Sequence, residues 1–273
     1  CEQALSLHPN SRPLERTANR LGKKCSSKRI AGQATQPIPK QRVGLPWPRQ
    51  AGHWIINGSG VRVESAVVEA LRQYGRRALR AEVLLWTTIF GLIYDEALFA
   101  PIPGMLPSPF LSRPIDLGTP GFSAARKPTL AAIHRELSQG KAEQLIRSAW
   151  SRREGQHIAG VHWKRWSPEE LVETANALGP SRLIRFMSLL LQDWATARRG
   201  LPDLVVLPGS SVKTSTFTLG ADLMCIEVKG PGDSLRDDQQ AWLERLSAIN
   251  IQAEVWQVFE NSSIPIQPDT TGK

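Results

Sequence analysis

Residues 200 to 232 read GLPDLVVLPGSSVKTSTFTLGADLMCIEVKGPG, and the piece that decides the fold is CIEVKG, 225 to 230. Side chains of a strand alternate between its two faces, so Cys225, Glu227 and Lys229 share one face while Met224, Ile226 and Val228 share the other. A carboxylate and an ammonium therefore project together from a strand whose back is core. An edge strand carries charges for solubility, and CIEVKG alone fits that role equally well.

The residue that separates the two readings lies 24 positions upstream. Asp203 follows Pro202 at the entry to the apolar run LVV. If the two runs pair as a hairpin, the start of the first faces the end of the second, and Asp203 lies beside Glu227. Two carboxylates brought together repel unless a cation sits between them, and clustered carboxylate oxygens with water suit Mg²⁺ or Mn²⁺. Next to such an ion, Lys229 is placed to stabilise an attacking hydroxide or the charge that develops on a phosphoryl oxygen.

The rest of the chain sets bounds on this chemistry. Its 273 residues suffice to bury a full core, and the three cysteines, Cys1, Cys25 and Cys225, have neither CxxC spacing nor an even framework. They argue for a reducing, intracellular compartment: cytoplasm or nucleoid in a bacterium, nucleus in a eukaryote. No stretch approaches the roughly 20 apolar residues of a membrane span, and no secretory signal opens the chain. The first residue is Cys1, so the sequence reads as a fragment of a longer frame with possible upstream domains. Of the formal charge of +9, residues 1 to 60 carry +8, from ten Lys or Arg against Glu2 and Glu15. A basic, Pro-rich, partly flexible arm ahead of a nearly neutral body suits a polyanionic partner, and equally a solvated tail.

After the arm, apolar spacing predicts helices at 63 to 74, ending before Gly75, and at about 82 to 99, the latter apolar nearly all round and opening on Glu82. Helical patterns resume at 128 to 138 and 141 to 152. Ser167-Pro168-Glu169-Glu170 is a capping box that opens a helix to Leu178, and another runs from Pro180 towards Gly200. Aromatic and basic residues alternate in VHWKRW, 161 to 166, as they do on nucleic-acid platforms, although core tryptophans are the plainer reading. Strands are expected only late, at DLVVLP, DLMCIEVK and AEVWQVF, with a helix over LRDDQQAWLERLSAI between the last two. The organisation is thus an arm (1–60), a helical region (61–200), an α/β core (201–260) and a tail (261–273).

PD followed by a strand-borne ExK resembles the PD-(D/E)xK nuclease superfamily. GLPDLVV, EVKGPGDSLRDDQQAWL and AEVWQV are similar to its VRR-NUC domain, and FGLIYDEALFAPIPG with PIDLGTPGFSAARKP resembles the Fanconi-associated nuclease family, a likeness that covers about residues 61 to 260. It implies a restriction-endonuclease-like core, a mixed sheet flanked by helices and preceded by a helical region. It also implies a metal-dependent, structure-specific nuclease that cuts near 5′ flaps and trims 5′ to 3′ in the repair of DNA interstrand crosslinks. By motif, Glu82 is the upstream helix-borne metal ligand, Asp203 and Glu227 are metal ligands, the Val228 carbonyl completes the set and Lys229 is the motif lysine. Arg126, Arg198, Arg199 and Gln239 are the implied DNA-binding residues. Ser234 and Ala195 stand where the family often has basic residues, which leaves 5′-phosphate capture open. A DNA-binding module with a vestigial nuclease core and a Holliday-junction resolvase on the same core remain as alternatives.

Overall fold

The structure, a computed structural model, describes residues 37 to 263 apart from 109 and 193, and the side chains of 196 and 197. Four strands come first: β1 (Lys40–Leu45), β2 (Arg49–Gln50), β3 (His53–Ile56) and β4 (Ser59–Val61), followed by α1 (Val63–Gln73) and β5 (Ala78–Arg80). A helical block then contains α2 (Leu84–Ile93), α3 (Asp95–Leu98), α4 (Pro120–Ala125), α5 (Lys127–Ser138), α6 (Ala142–Arg153), α7 (Pro168–Leu178), α8 (Pro180–Gln192) and α9 (Trp194–Ala197). The chain returns to strands with β6 (Leu204–Val206), β7 (Val212–Lys213), β8 (Thr218–Leu219) and β9 (Met224–Lys229), and ends in α10 (Asp237–Ala248) and β10 (Gln252–Glu260).

The main sheet has the order β1-β10-β9-β6-β5 and is mixed: β1 and β9 run parallel to β10, while β6 is antiparallel to both β9 and β5. The parallel β9–β10 pair requires a crossover, which α10 provides. The β6–β9 hairpin is observed, with Leu204 opposite Ile226. β9 therefore lies inside the sheet between β10 and β6, and the edge-strand reading of CIEVKG is excluded. Alternation along β9 is also as expected. Met224, Ile226 and Val228 join one core with Leu204, Trp256, Trp54 and the apolar side of α1, while Cys225 joins a second core with Val205, Val255 and the helical block. Both faces of this strand are covered, as in a sheet layered between helices.

Three differences from expectation bear on the site. The arm, expected over 1 to 60, gives way to strands at Lys40, and β1 forms an edge of the main sheet. Only the second half of β1 is buried, so its first three residues read as polar arm. Residues 1 to 36 and 264 to 273, which hold most of the arm and the tail, lie outside the described residues. Secondly, β5 was not expected; it pairs with β6, so the helical block is inserted between two neighbouring strands of the sheet. Thirdly, the helix expected over 82 to 99 is two helices meeting at Tyr94, whose hydroxyl lies 2.7 Å from Nε2 of His134. Asp95, buried just after the break, accepts hydrogen bonds from Arg152 and Arg153 at 2.9 Å each. The capping box at Ser167 and Glu170 is present. VHWKRW packs as core: Trp166 is buried and Trp163 meets Trp150 edge-on at 5.0 Å.

Candidate active site

The register of β6 against β9 carries the site. Leu204 pairs with Ile226, so the preceding residue, Asp203, stands across from Glu227 just beyond the end of the ladder. There the Asp203 side chain substitutes for a strand partner, its Oδ2 accepting a hydrogen bond from the Val228 N–H at 2.8 Å. The N–H and C=O of one strand residue face the same neighbour, so the Val228 carbonyl is directed to this open side as well. The Asp203 carbonyl accepts from the N–H groups of Ala81 at 2.8 Å and Glu82 at 3.2 Å, which ties the turn after β5 to the same residue. Upstream, Gly200 at φ +79 crosses the first turn of α10 so closely that a Cβ would stand 2.5 Å from the Asp238 carbonyl carbon. That close approach sets α10 against the GLPD loop.

Glu227 and Lys229 project on the face of β9 that meets α10. Glu227 is 1% exposed, and its Oε1 lies 2.8 Å from the Lys229 Nζ. Lys229 Nζ donates to Oε1 of Gln239 at 2.9 Å, and the same oxygen accepts the Arg236 N–H at 3.0 Å. Gln239, expected as a DNA contact, is buried and holds the motif lysine in place. Despite the ion pair, neither Glu227 oxygen receives a hydrogen bond of good geometry, and both are fully buried. Burial, chiefly, pushes the Glu227 carboxyl up to about 8, with Asp203 adding to the rise and Lys229 opposing it. Burial likewise raises Asp203 to about 6; Glu64 and Glu82 push in the same direction, against the Val228 N–H and Lys229. Two neighbouring carboxylates that resist ionisation in water-poor surroundings are the arrangement a cation relieves.

Glu82 lies beside Asp203 along the backbone but is not in a helix. It sits at φ +41 in the turn before α2, a strained conformation for a residue with a side chain, and its Oε1 accepts from Arg80 at 3.1 Å. Glu64, in the first turn of α1, was not singled out in the sequence, yet it is one of the charges acting on Asp203 and its buried Oε2 has no hydrogen-bond partner. Its place in the first turn of the helix expected at 63 to 74 was readable in the sequence, but its nearness to Asp203 was not. Arg126 is 1% exposed and is not available to DNA. It donates to the Ala97 carbonyl, the Phe122 carbonyl and Asp116, with Nη1 2.7 Å from the Asp116 Oδ2. Arg198, half-buried over the Trp194 ring, and Arg199, exposed, lie at the entry to the GLPD loop.

Among the described residues no three His, Cys, Asp or Glu side chains converge closely enough to hold an ion. The donor set is two carboxylates on paired strands and a main-chain carbonyl beside them. Buried carboxylate oxygens without hydrogen-bond donors are hard ligands, and this set fits a hard divalent cation whose remaining positions are filled by water. Divalent metal dependence is also what the PD-(D/E)xK type implies.

The VRR-NUC domain model matches residues 137–260. The chain is 31% identical over 231 residues to the Fanconi-associated nuclease 1 homolog of Pseudomonas aeruginosa, covering 85% of this chain and 38% of that protein. It is 30% identical to the homolog of Oryza sativa subsp. japonica over 184 residues, 67% of this chain and 19% of that protein. The crystal structure of paFAN1 bound to 2nt 5′flap DNA with gap superposes with a TM-score of 0.75 at 28% identity, over 95% of this chain and 45% of that one. The chain thus spans less than half the length of each of these relatives. With the mixed sheet, the paired PD and ExK strands and these likenesses together, the chain carries a VRR-NUC domain and belongs to the Fanconi-associated nuclease family.

Proposed function

We propose that the chain is the catalytic part of a metal-dependent, structure-specific DNA nuclease. It hydrolyses phosphodiester bonds near 5′ flaps and from 5′ ends, in the repair of interstrand crosslinks, with Mg²⁺ or Mn²⁺ as the ion. The observation that carries this reading is the Asp203–Glu227 pair across β6 and β9, with Lys229 fixed on the same face.

Asp203, Glu227 and the Val228 carbonyl would hold the ion, with Glu82 and Glu64 the nearby acidic side chains. A bound divalent ion supplies Lewis-acid activation of water and offsets charge on the phosphoryl oxygens. The protein supplies alignment. Val228 N–H fixes the Asp203 rotamer, and Gln239 and Glu227 together hold the Lys229 ammonium beside the carboxylate pair. Burial keeps competing water from Glu227, which strengthens its interaction with any cation there. The Lys229 ammonium is then positioned to donate to an attacking water or to a non-bridging oxygen as negative charge grows on it.

Digestion of end-labelled 5′-flap DNA with Mn²⁺, beside a four-way junction of the same sequence, tests the reading. Cleavage near the flap base, with the junction left whole, is expected. Symmetric cutting of the junction would favour a resolvase, and no metal-dependent cleavage of either would favour a vestigial core.

A further inference from the structure

The motif makes Glu82 a third carboxylate of the cation site, yet among the described residues no three acidic side chains converge closely enough to hold an ion. The backbone of Glu82 is not the obstacle. The N–H groups of Ala81 and Glu82 donate to the Asp203 carbonyl at 2.8 and 3.2 Å, so residue 82 is tied to the residue that stands across from Glu227. Its side chain has another partner: Nη2 of Arg80 donates to the Glu82 Oε1 at 3.1 Å.

Arg80 ends β5, opposite Leu204 of β6. Alternation along the strand puts it on the face of the sheet that α1 covers, the face of Ala78 and Leu204. There its Nη1 donates at 3.3 Å to Oγ of Ser65, in the first turn of α1. Glu227 and Lys229 project on the opposite face, where Gln239 of α10 holds the lysine. The ion pair therefore draws the Glu82 carboxylate towards α1, and the charge of Glu82 weighs less on Asp203 than that of Glu64 does. With the Arg80 and Glu82 side chains 33% and 42% exposed, the pair is of the kind that contributes little and opens readily.

We propose that Arg80 is a positioning residue that governs the third carboxylate: it withholds Glu82 from the cation site, and a divalent ion held by Asp203 and Glu227 recruits Glu82 by winning it from the guanidinium. Only side-chain torsions of Glu82 have to change, because its backbone already lies beside Asp203. A small divalent ion coordinates a carboxylate oxygen directly, whereas the guanidinium offers one hydrogen bond, so the exchange favours the ion once two other ligands hold it. The inference rests on the cation-site reading and adds to it a competitor that lowers metal affinity.

The test is Mn²⁺ binding by the chain without DNA, read from the loss of the free-ion electron paramagnetic resonance signal, in a double-mutant cycle. Arg80→Gln frees Glu82 and should tighten Mn²⁺ binding about two- to fivefold, the range that one half-exposed ion pair allows. Arg80→Lys should return the affinity of wild type. Glu82→Gln should weaken binding, and adding Arg80→Gln to it should change nothing further, because the carboxylate in dispute is gone. Arg80→Met, which removes the charge and keeps the apolar stem, takes the place of Arg80→Gln if that variant does not fold. Unchanged or weaker Mn²⁺ binding in the folded Arg80 variant would overturn the proposal. So would an equal gain in the Glu82→Gln background, which would make Arg80 a diffuse charge with no hold on Glu82. A wild-type chain that takes up no Mn²⁺ rejects the cation site itself, whereas wild-type uptake with an Arg80 variant that binds no tighter rejects this proposal and leaves the site standing.

Discussion

Asp203 connects two parts of the molecule through one carboxylate and one carbonyl, the turn at Glu82 and the strand end at Val228, and it stands across from Glu227. Asp203→Ala and Glu227→Gln should each abolish metal-dependent cleavage while leaving DNA affinity within a few-fold, the outcome the proposed reading requires if the carboxylates serve chemistry and the basic surface serves affinity. Loss of binding in step with cleavage would show that the carboxylates act on the fold instead. The raised proton affinities have a consequence for stability. A buried carboxyl at about 8 keeps its proton in the fold while the unfolded chain, near 4.5, has lost it. Over that window the folded state binds more protons, so stability is greatest at the acid side and falls as pH rises towards 8. Asp203 adds a smaller fall between 3.8 and about 6. In EDTA the melting temperature should decline through this range, by an amount on the order of a few kcal/mol in stability, and Glu227→Gln should remove most of the part above pH 6. A wild-type profile that rises over the same window would contradict the burial that sets these values.

Among the elements, those with strong periodicity were readable and those with weak periodicity were not. The helices at α1, α5, α6 and α7 and the strands β6, β9 and β10 follow from apolar spacing, Gly75 and the Ser167 capping box. β5 escaped because three residues, Ala78 to Arg80, are too few for alternation to show, and β1 because half of it is polar. The site was legible where the motif is local to one hairpin. It was not where a residue's role depends on contacts distant in sequence: the nearness of Glu64 to Asp203 exists only in the fold, and the burial of Arg126 needed the folded 97-to-122 segment. Gln239 was legible as a motif residue, but its partner, Lys229, is visible only with α10 packed on β9. That packing depends on Gly200. Gly200→Ala introduces a Cβ at a positive φ against the α10 backbone and should cost about 1 to 3 kcal/mol by urea unfolding, with slower cleavage as Gln239 is displaced. A loss under about 0.5 kcal/mol would mean that α10 is free to move away.

At the scale of the molecule, the sheet is the frame and the helical block is an insertion between two of its strands, so the site gathers residues from 64 to 239. No helix among the described residues is long and apolar enough to cross a membrane. Two truncations separate affinity from architecture. Removing residues 1 to 36 takes away seven of the basic residues of the first sixty and should weaken DNA binding and flatten its salt dependence, by about 0.9 in slope per lost phosphate contact. Removing residues 1 to 45 also deletes β1, with buried Val43 and Leu45, and should destabilise the sheet. Equal melting temperatures for the two would mean that β1 is dispensable. The central claim, that Asp203 and Glu227 are a cation site whose charges are unrelieved without the ion, is tested most directly by thermal melting at pH 8.5 with EDTA and with Mn²⁺. Binding at a hundredfold excess over Kd adds about 2.7 kcal/mol, a shift on the order of 5 to 10 °C for a chain of this size. Wild type should show that shift, and Glu227→Gln should melt higher than wild type in EDTA and lose most of the response to Mn²⁺. If Glu227→Gln instead melts lower in EDTA and Mn²⁺ moves both proteins equally, Glu227 and Lys229 are a structural ion pair and the site is not a metal centre.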